Sequence, residues 1–229
     1  MGVFPLDSMA IQPIRFGDEG QVATRELALR FEALAREATL PDPALQRMRA
    51  ELAALEALDR QYGGLAPLPV EGADEIVASL ATGLAYLEDD ELTLGVALWA
   101  IRHEVALTVV EPVVNALARR SNQAATRQEI AAVFGLMQGV IAHVGPRLAA
   151  DLERSNPERP WRVAHVNFAI TAIRTEDPAM IDHAFDALDR ALPDERAGFY
   201  AEALALALAP RIAPVVRERI EARQRKWTP

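Results

Sequence analysis

Residues 91–120 constrain this chain more than any other stretch. Leu92, Leu94, Val96, Leu98, Trp99, Ile101, Val105, Leu107, Val109, Val110, Val113, Val114 and Leu117 leave that segment almost no polar side. A segment of this length that is apolar nearly all round reads as one buried helix. A chain that must cover such a helix is a helical assembly. Its polar interruptions are Arg102, His103 and Glu104, followed by Thr108, Glu111 and Asn115. On a continuous helix, Glu104, Thr108, Glu111 and Asn115 share one stripe, able either to line a pocket or to meet solvent or a neighbouring helix. Pro112 predicts a kink within it.

The rest of the chain follows the same period. Residues 1–17 carry Pro5, Pro13 and Gly17 without a sustained pattern and read as an extended arm. Residues 18–62 hold two amphipathic patterns, Val22, Leu27, Leu29, Phe31 and Leu34, then Leu45, Met48, Leu52, Leu55 and Leu58. Their short connection predicts a helical hairpin. Asp42 with Pro43 reads as an N-cap and first turn, and Gly63 with Gly64 as a stop. Residues 63–72, rich in glycine and proline, form a linker. Residues 73–229 continue as a helical array, with start signals at Pro160, at Asp177–Pro178 and at Pro193. No strand is required, so the expected class is all-α: an N-terminal helical hairpin plus a multi-helix bundle or a short irregular helical-repeat array.

Short strings recur along this array. The hexapeptide at 97–102 is echoed at 169–174, that at 114–119 by 185–190, and 146–149 by 210–213. This pattern fits two related halves, about 90–154 and 160–226. Composition accounts for it equally well. The string apolar-acid-Ala-Leu-x-Arg also occurs at 31–36 and 55–60, at unequal intervals. A helix nearing its end favours such residues, because the acid and Arg form an i, i+4 pair and Arg suits the C-terminal dipole.

Charge and motifs narrow the function. A net charge of -9 and a pI near 5.0 argue against a general nucleic-acid binder. The basic C-terminal run of Arg211, Arg217, Arg219, Arg223, Arg225 and Lys226 is interleaved with Glu218 and Glu221, and reads as a solvated face with pairs one turn apart. Cysteine is absent, which removes disulfides, thiolate nucleophiles and cysteine-based zinc sites. Ionisable groups in the middle of 92–114 argue against a membrane span there, and the N-terminal residues lack the pattern of a secretory signal. The expected location is cytoplasmic.

Phosphate loops, dinucleotide-binding glycine motifs, nucleophile elbows and paired-histidine zinc motifs are missing, so no cofactor and no metal are expected. None of His103, His143, His165 and His183 follows a glutamate by three residues, which removes the helical di-iron signature. The candidate ligand-binding residues are Arg102, His103, Glu104, Glu111 and His165. Two functions follow. The leading one is a non-enzymatic helical interaction, scaffold or adaptor protein, homo-oligomeric, that recognises a protein partner through an apolar groove or helix face. The alternative is a helical enzyme or a small-ligand or metal-binding protein with its site around those five residues.

Overall fold

A computed structural model describes residues 24–63, 65–150, 152, 154–207 and 213–227. Among the described residues there are ten helices and no strand, so the protein is all-α. The expected arm at 1–17 and the start of the first expected helix lie outside them. The chain divides into two compact units, Met1–Pro112 and Val113–Pro229.

In the first unit, α1 (Thr24–Ala35), α2 (Asp42–Tyr62), α3 (Ala73–Ala85) and α4 (Asp90–Arg102) form a ring. α1 and α3 each pack against both α2 and α4. Cross-ties fix the direction of the first pair: Arg49 of α2 binds Glu32 and Asp59 of α2 accepts from Thr24, so α1 and α2 are antiparallel. The apolar positions of all four helices converge on Leu27, Phe31, Leu52, Leu55, Leu80, Leu84, Leu92 and Trp99, all fully buried. Gly95 permits the close approach of α1 and α4, since a Cβ there would lie 2.2 Å from Leu27 Cδ2.

Helix ends carry much of the local logic. Asp89 caps α4 by accepting from Leu92 N–H at 2.8 Å, and the same carboxylate takes both arms of Arg30 at 2.8 and 2.6 Å. α2 begins one residue earlier than the Asp-Pro signal implies. Pro41 is its N-cap, and Asp42 and Pro43 occupy the first turn without a side-chain cap bond. Asp42 there still meets the positive end of the helix dipole.

The segment 91–120 is not one helix. α4 stops at Arg102, residues 105–110 run without regular structure, and α5 (Glu111–Gln123) starts anew. The stop is a Schellman motif: Val105 N–H bonds Ala100 O at 2.8 Å and Glu104 N–H bonds Ile101 O at 3.2 Å, with Glu104 left-handed at φ 53°. Pro112 does not kink a helix. It sits in the first turn of α5, where its missing N–H costs no helical bond. The β-branched run before it resists helix, and the buried Val105, Leu107 and Val110 hold it extended.

In the second unit, α6 (Arg127–Leu148), α7 (Pro160–Thr175) and α8 (Pro178–Ala191) pack in sequence, while α9 (Arg196–Ala207) pairs with α10 (Pro214–Trp227) and α10 also packs on α8. Thr126 and Glu129 form a capping box at the start of α6, and their backbone hydrogen bonds hold the Glu129 carboxyl below its usual range. α6 is the one described helix long and apolar enough to cross a membrane by length and composition. Its seam of Ile130, Val133, Phe134, Met137, Val140 and Val144 is buried, with Phe134 stacked on Phe168 of α7 at 4.4 Å.

The polar face of α7 has a structural use. Thr171 Oγ1 lies 2.8 Å from Ser121 Oγ, and Arg174 donates to the carbonyls of Ser121 and Ala124. These carbonyls lie in and just after the last turn of α5, and that of Ser121 also accepts from Ala124 N–H at 3.2 Å. Asp177 caps α8 as expected from the Asp-Pro pair, accepting from Ala179 and Met180 N–H.

Candidate functional site

Of the five candidate residues, His103 has the most developed surroundings. It ends α4, is 0% exposed, and has both ring nitrogens engaged. Nδ1 lies 2.9 Å from the Leu65 carbonyl and Nε2 lies 2.8 Å from Asp59 Oδ1. A carbonyl only accepts, so Nδ1 carries a proton. Asp59 Oδ1 also accepts from Trp99 Nε1–H at 2.9 Å, and Oδ2 from the Thr24 hydroxyl at 3.1 Å. Asp59 thus gathers contacts from Thr24, Trp99 and His103 on one carboxylate. The main chain of His103 completes the cluster, its carbonyl accepting from Leu68 N–H at 2.9 Å. One residue thus ties residues 65–68 to the ends of α2 and α4.

That geometry leaves no ring nitrogen of His103 to face a substrate. Arg102, its neighbour, is half-buried at the last turn of α4, and Glu104 is exposed at the left-handed position. Glu111 is exposed at the start of α5. The single stripe of Glu104, Thr108, Glu111 and Asn115 therefore does not exist, because the helix that would align them is broken at 103–110. His165 belongs to the second unit, where it is 3% exposed and packs edge-on against Trp161 at 4.3 Å. Among the described residues no group of three His, Asp or Glu side chains is placed to hold a metal ion.

The second unit contains a counterpart to the Asp59 cluster. Asp189 near the end of α8 accepts from the Tyr200 hydroxyl at 2.9 Å, Arg223 at 2.8 Å and Trp227 Nε1–H at 3.0 Å. Burial, then the adjacent Asp189, pushes the Tyr200 phenol well above its usual range. Arg223 also binds Asp186, holding that carboxyl below its usual range, and Arg219 binds Asp182. Arg219 and Arg223 therefore dock on the acids of α8, where intrahelical pairing with Glu218 and Glu221 was expected, while Arg217 donates to the Ala207 carbonyl. Trp227 is further held under the Arg196 guanidinium, 3.5 Å from the ring centroid.

Asp59 and Asp189 occupy the same position of the recurrent string, Leu-Glu-Ala-Leu-Asp-Arg at 55–60 and Phe-Asp-Ala-Leu-Asp-Arg at 185–190. Each accepts an indole N–H, a hydroxyl and one basic side chain. At 31–36 and 114–119 the corresponding residues are Ala35 and Ala118, which can do none of this. Replacing x by Asp in the string is the signal that sequence reasoning missed.

A further opening in the first unit lies elsewhere. An open groove of about 600 Å³ runs between the start of α2 and the end of α3, within the size range of ligand sites. Leu40, Ala44, Met48, Ala78 and Gly83 supply an apolar lining, and Tyr86 stands at its edge 73% exposed. Among the described residues Arg47 is the one charged residue of the lining. Thr82, also in the lining, is already engaged, its hydroxyl donating to the Ala78 carbonyl at 2.8 Å. None of Arg102, His103, Glu104, Glu111 and His165 lines this groove. No family model, curated protein or solved structure matches the chain.

Proposed function

We propose that this chain is a non-catalytic helical interaction protein that receives a protein partner in the groove between α2 and α3. The observation that carries this reading is the groove itself: a wide, apolar-lined opening with an exposed tyrosine at its edge. Large amphipathic side chains such as tyrosine are enriched among residues that dominate binding energy. The engagement of both His103 nitrogens supports the same reading, since the best-placed basic group of the first unit is committed to fold contacts.

A photo-reactive amino acid at position 86 tests it, introduced into the full chain in its native host, with position 152 as an exposed control. Leu152 lies in the second unit and is 92% exposed. A discrete adduct formed at 86, absent at 152 and abolished by Ala44→Trp is the expected result. Identical adducts at the two positions would refute the groove as a specific surface. Native mass spectrometry of the purified protein reads subunit number and bound ligands together. Several copies are expected, and a stoichiometric metabolite or metal would favour the ligand-binding alternative instead.

A further inference from the structure

The chemistry of the groove lining specifies more than an apolar contact. Of its residues, Arg47, Ser79 and Tyr86 carry polar side-chain groups with no intramolecular partner among the described residues, and all three can donate hydrogen bonds. Among the described residues no carboxylate belongs to the lining. Glu51 follows Arg47 by one turn of α2 without an ion pair to it, and one of its oxygens is buried. In a chain of net charge -9, this groove thus presents a cation and two hydroxyl donors and, among the described residues, no acid. Small residues also line the groove, Ala44 on α2 and Ala78, Ser79 and Gly83 on α3. Two antiparallel helices with small residues between them admit a third helix, and this is the helix-in-groove mode of recognition.

We infer that the groove takes an amphipathic helix of a protein partner, one that lays an aliphatic face on Leu40, Ala44 and Ala78 and presents an Asp or Glu to Arg47. This rests on the interaction reading above and adds the partner's charge to it. The apolar face supplies the contact area, and the guanidinium sets the register by accepting only a helix whose acid falls at the right turn. Like charge at that turn disfavours the wrong partner.

The test is a display selection of a 16-residue helical peptide library against the full chain, run in parallel on wild type and Arg47→Glu. Wild type is expected to enrich peptides with aliphatic residues at i, i+3, i+4 and i+7 and an acid at one fixed position. Arg47→Glu is expected to enrich Lys or Arg at that same position. The enriched acidic peptide should bind at least tenfold more weakly to Arg47→Glu and after its own Glu→Gln change, and lose binding to Ala44→Trp. Because Arg47 is exposed, its substitution should leave the circular dichroism melt unchanged; should Arg47→Glu fail to fold, Arg47→Gln with the salt dependence of peptide binding replaces it. Peptides enriched on the groove with no acid preference would overturn the charge inference and leave the interaction reading standing. Enriched peptides indifferent to Ala44→Trp, or no enrichment at all, would overturn both.

Discussion

Removing the Asp59 carboxylate is the sharpest test of how the first unit is held together. Asp59→Ala withdraws the acceptor from His103, Trp99 and Thr24 at once. The Thr24 hydroxyl can turn to other partners, so its loss costs little. Trp99 is 1% exposed and His103 0%, so neither reaches water without opening the helix ends. A charge-assisted bond to the histidine contributes about 1.5–3 kcal/mol and the indole bond about 1 kcal/mol. Removing one partner of a buried pair typically costs about 3–5 kcal/mol. Asp59 itself keeps 20% side-chain exposure, so some solvent already screens the pair and the lower end applies. A loss of about 3 kcal/mol is therefore expected. The assay is urea unfolding followed by Trp99 fluorescence, in a background where Trp161 and Trp227 are phenylalanine. Asp59→Asn keeps one acceptor and should lose about half as much. Combining Asp59→Ala with His103→Gln should cost clearly less than the sum of the two, because they remove one shared bond. A loss below about 1 kcal/mol for Asp59→Ala, or simple additivity, would refute a stabilising role for this cluster.

Three further outcomes follow from local geometry. Glu104→Gly relieves a left-handed residue at the Schellman position and should stabilise the first unit by about 0.5–1 kcal/mol in the same urea assay, an unchanged midpoint arguing against strain at φ 53°. Asp177→Ala removes the cap of α8 and should cost about 1 kcal/mol, read as a lower melting temperature by circular dichroism. Burial raises the Glu195 carboxyl, but hydrogen bonds and charge from Arg159 and Arg162 outweigh it and set it below its usual range. A carboxyl depressed on folding stabilises above its unfolded pKa, about 4.3, and that stability is lost as pH falls through the folded value. Glu195→Gln should therefore flatten the acid limb of the stability curve below about pH 4.3, and an identical limb in the two proteins would refute the assignment.

Helix formation was legible because it depends on short-range pattern. The period of Leu45, Met48, Leu52 and Leu55 places one face of α2 in the core, and all four are buried. Asp177 announced its cap for the same reason, since the bond it makes spans two and three residues. The break at 103–110 was hidden because its usual marker is missing. Left-handed helix ends favour glycine, and here glutamate takes that conformation at Glu104, as it does at Glu88 and Glu176. Tertiary contacts hold what local preference does not: the His103 ring is fixed by Asp59 and Leu65 just where the helix must turn, and Val105 is buried immediately after it. An apolar run interrupted by Arg-His-Glu is thus compatible with one helix or two, and packing decides.

The candidate site shows the same division between local and distant causes. His103 stood out as an ionisable residue in an apolar segment, which is a sound reason to examine it. Its partner Asp59 lies 44 residues earlier in a string that reads as ordinary helix-end composition. What separates that string from its neighbours is a single residue. With alanine at the fifth position, as in Ala35 and Ala118, the helix ends without a buried acceptor. With aspartate, as in Asp59 and Asp189, the helix offers a carboxylate on which a tryptophan and a basic side chain from another helix converge. The Leu-Asp-Arg ending then does in both units what cap residues do at helix starts, but across elements: it supplies the acceptor for an indole N–H and a basic group, buried in the first unit and half-buried in the second. That is why Trp99 and Trp227, near the ends of different helices in different units, end on the same chemistry. His103, the candidate ligand-binding residue that stood out, is in this way engaged by the fold, and the groove between α2 and α3 presents Arg47, Ser79 and Tyr86, which no periodicity singled out.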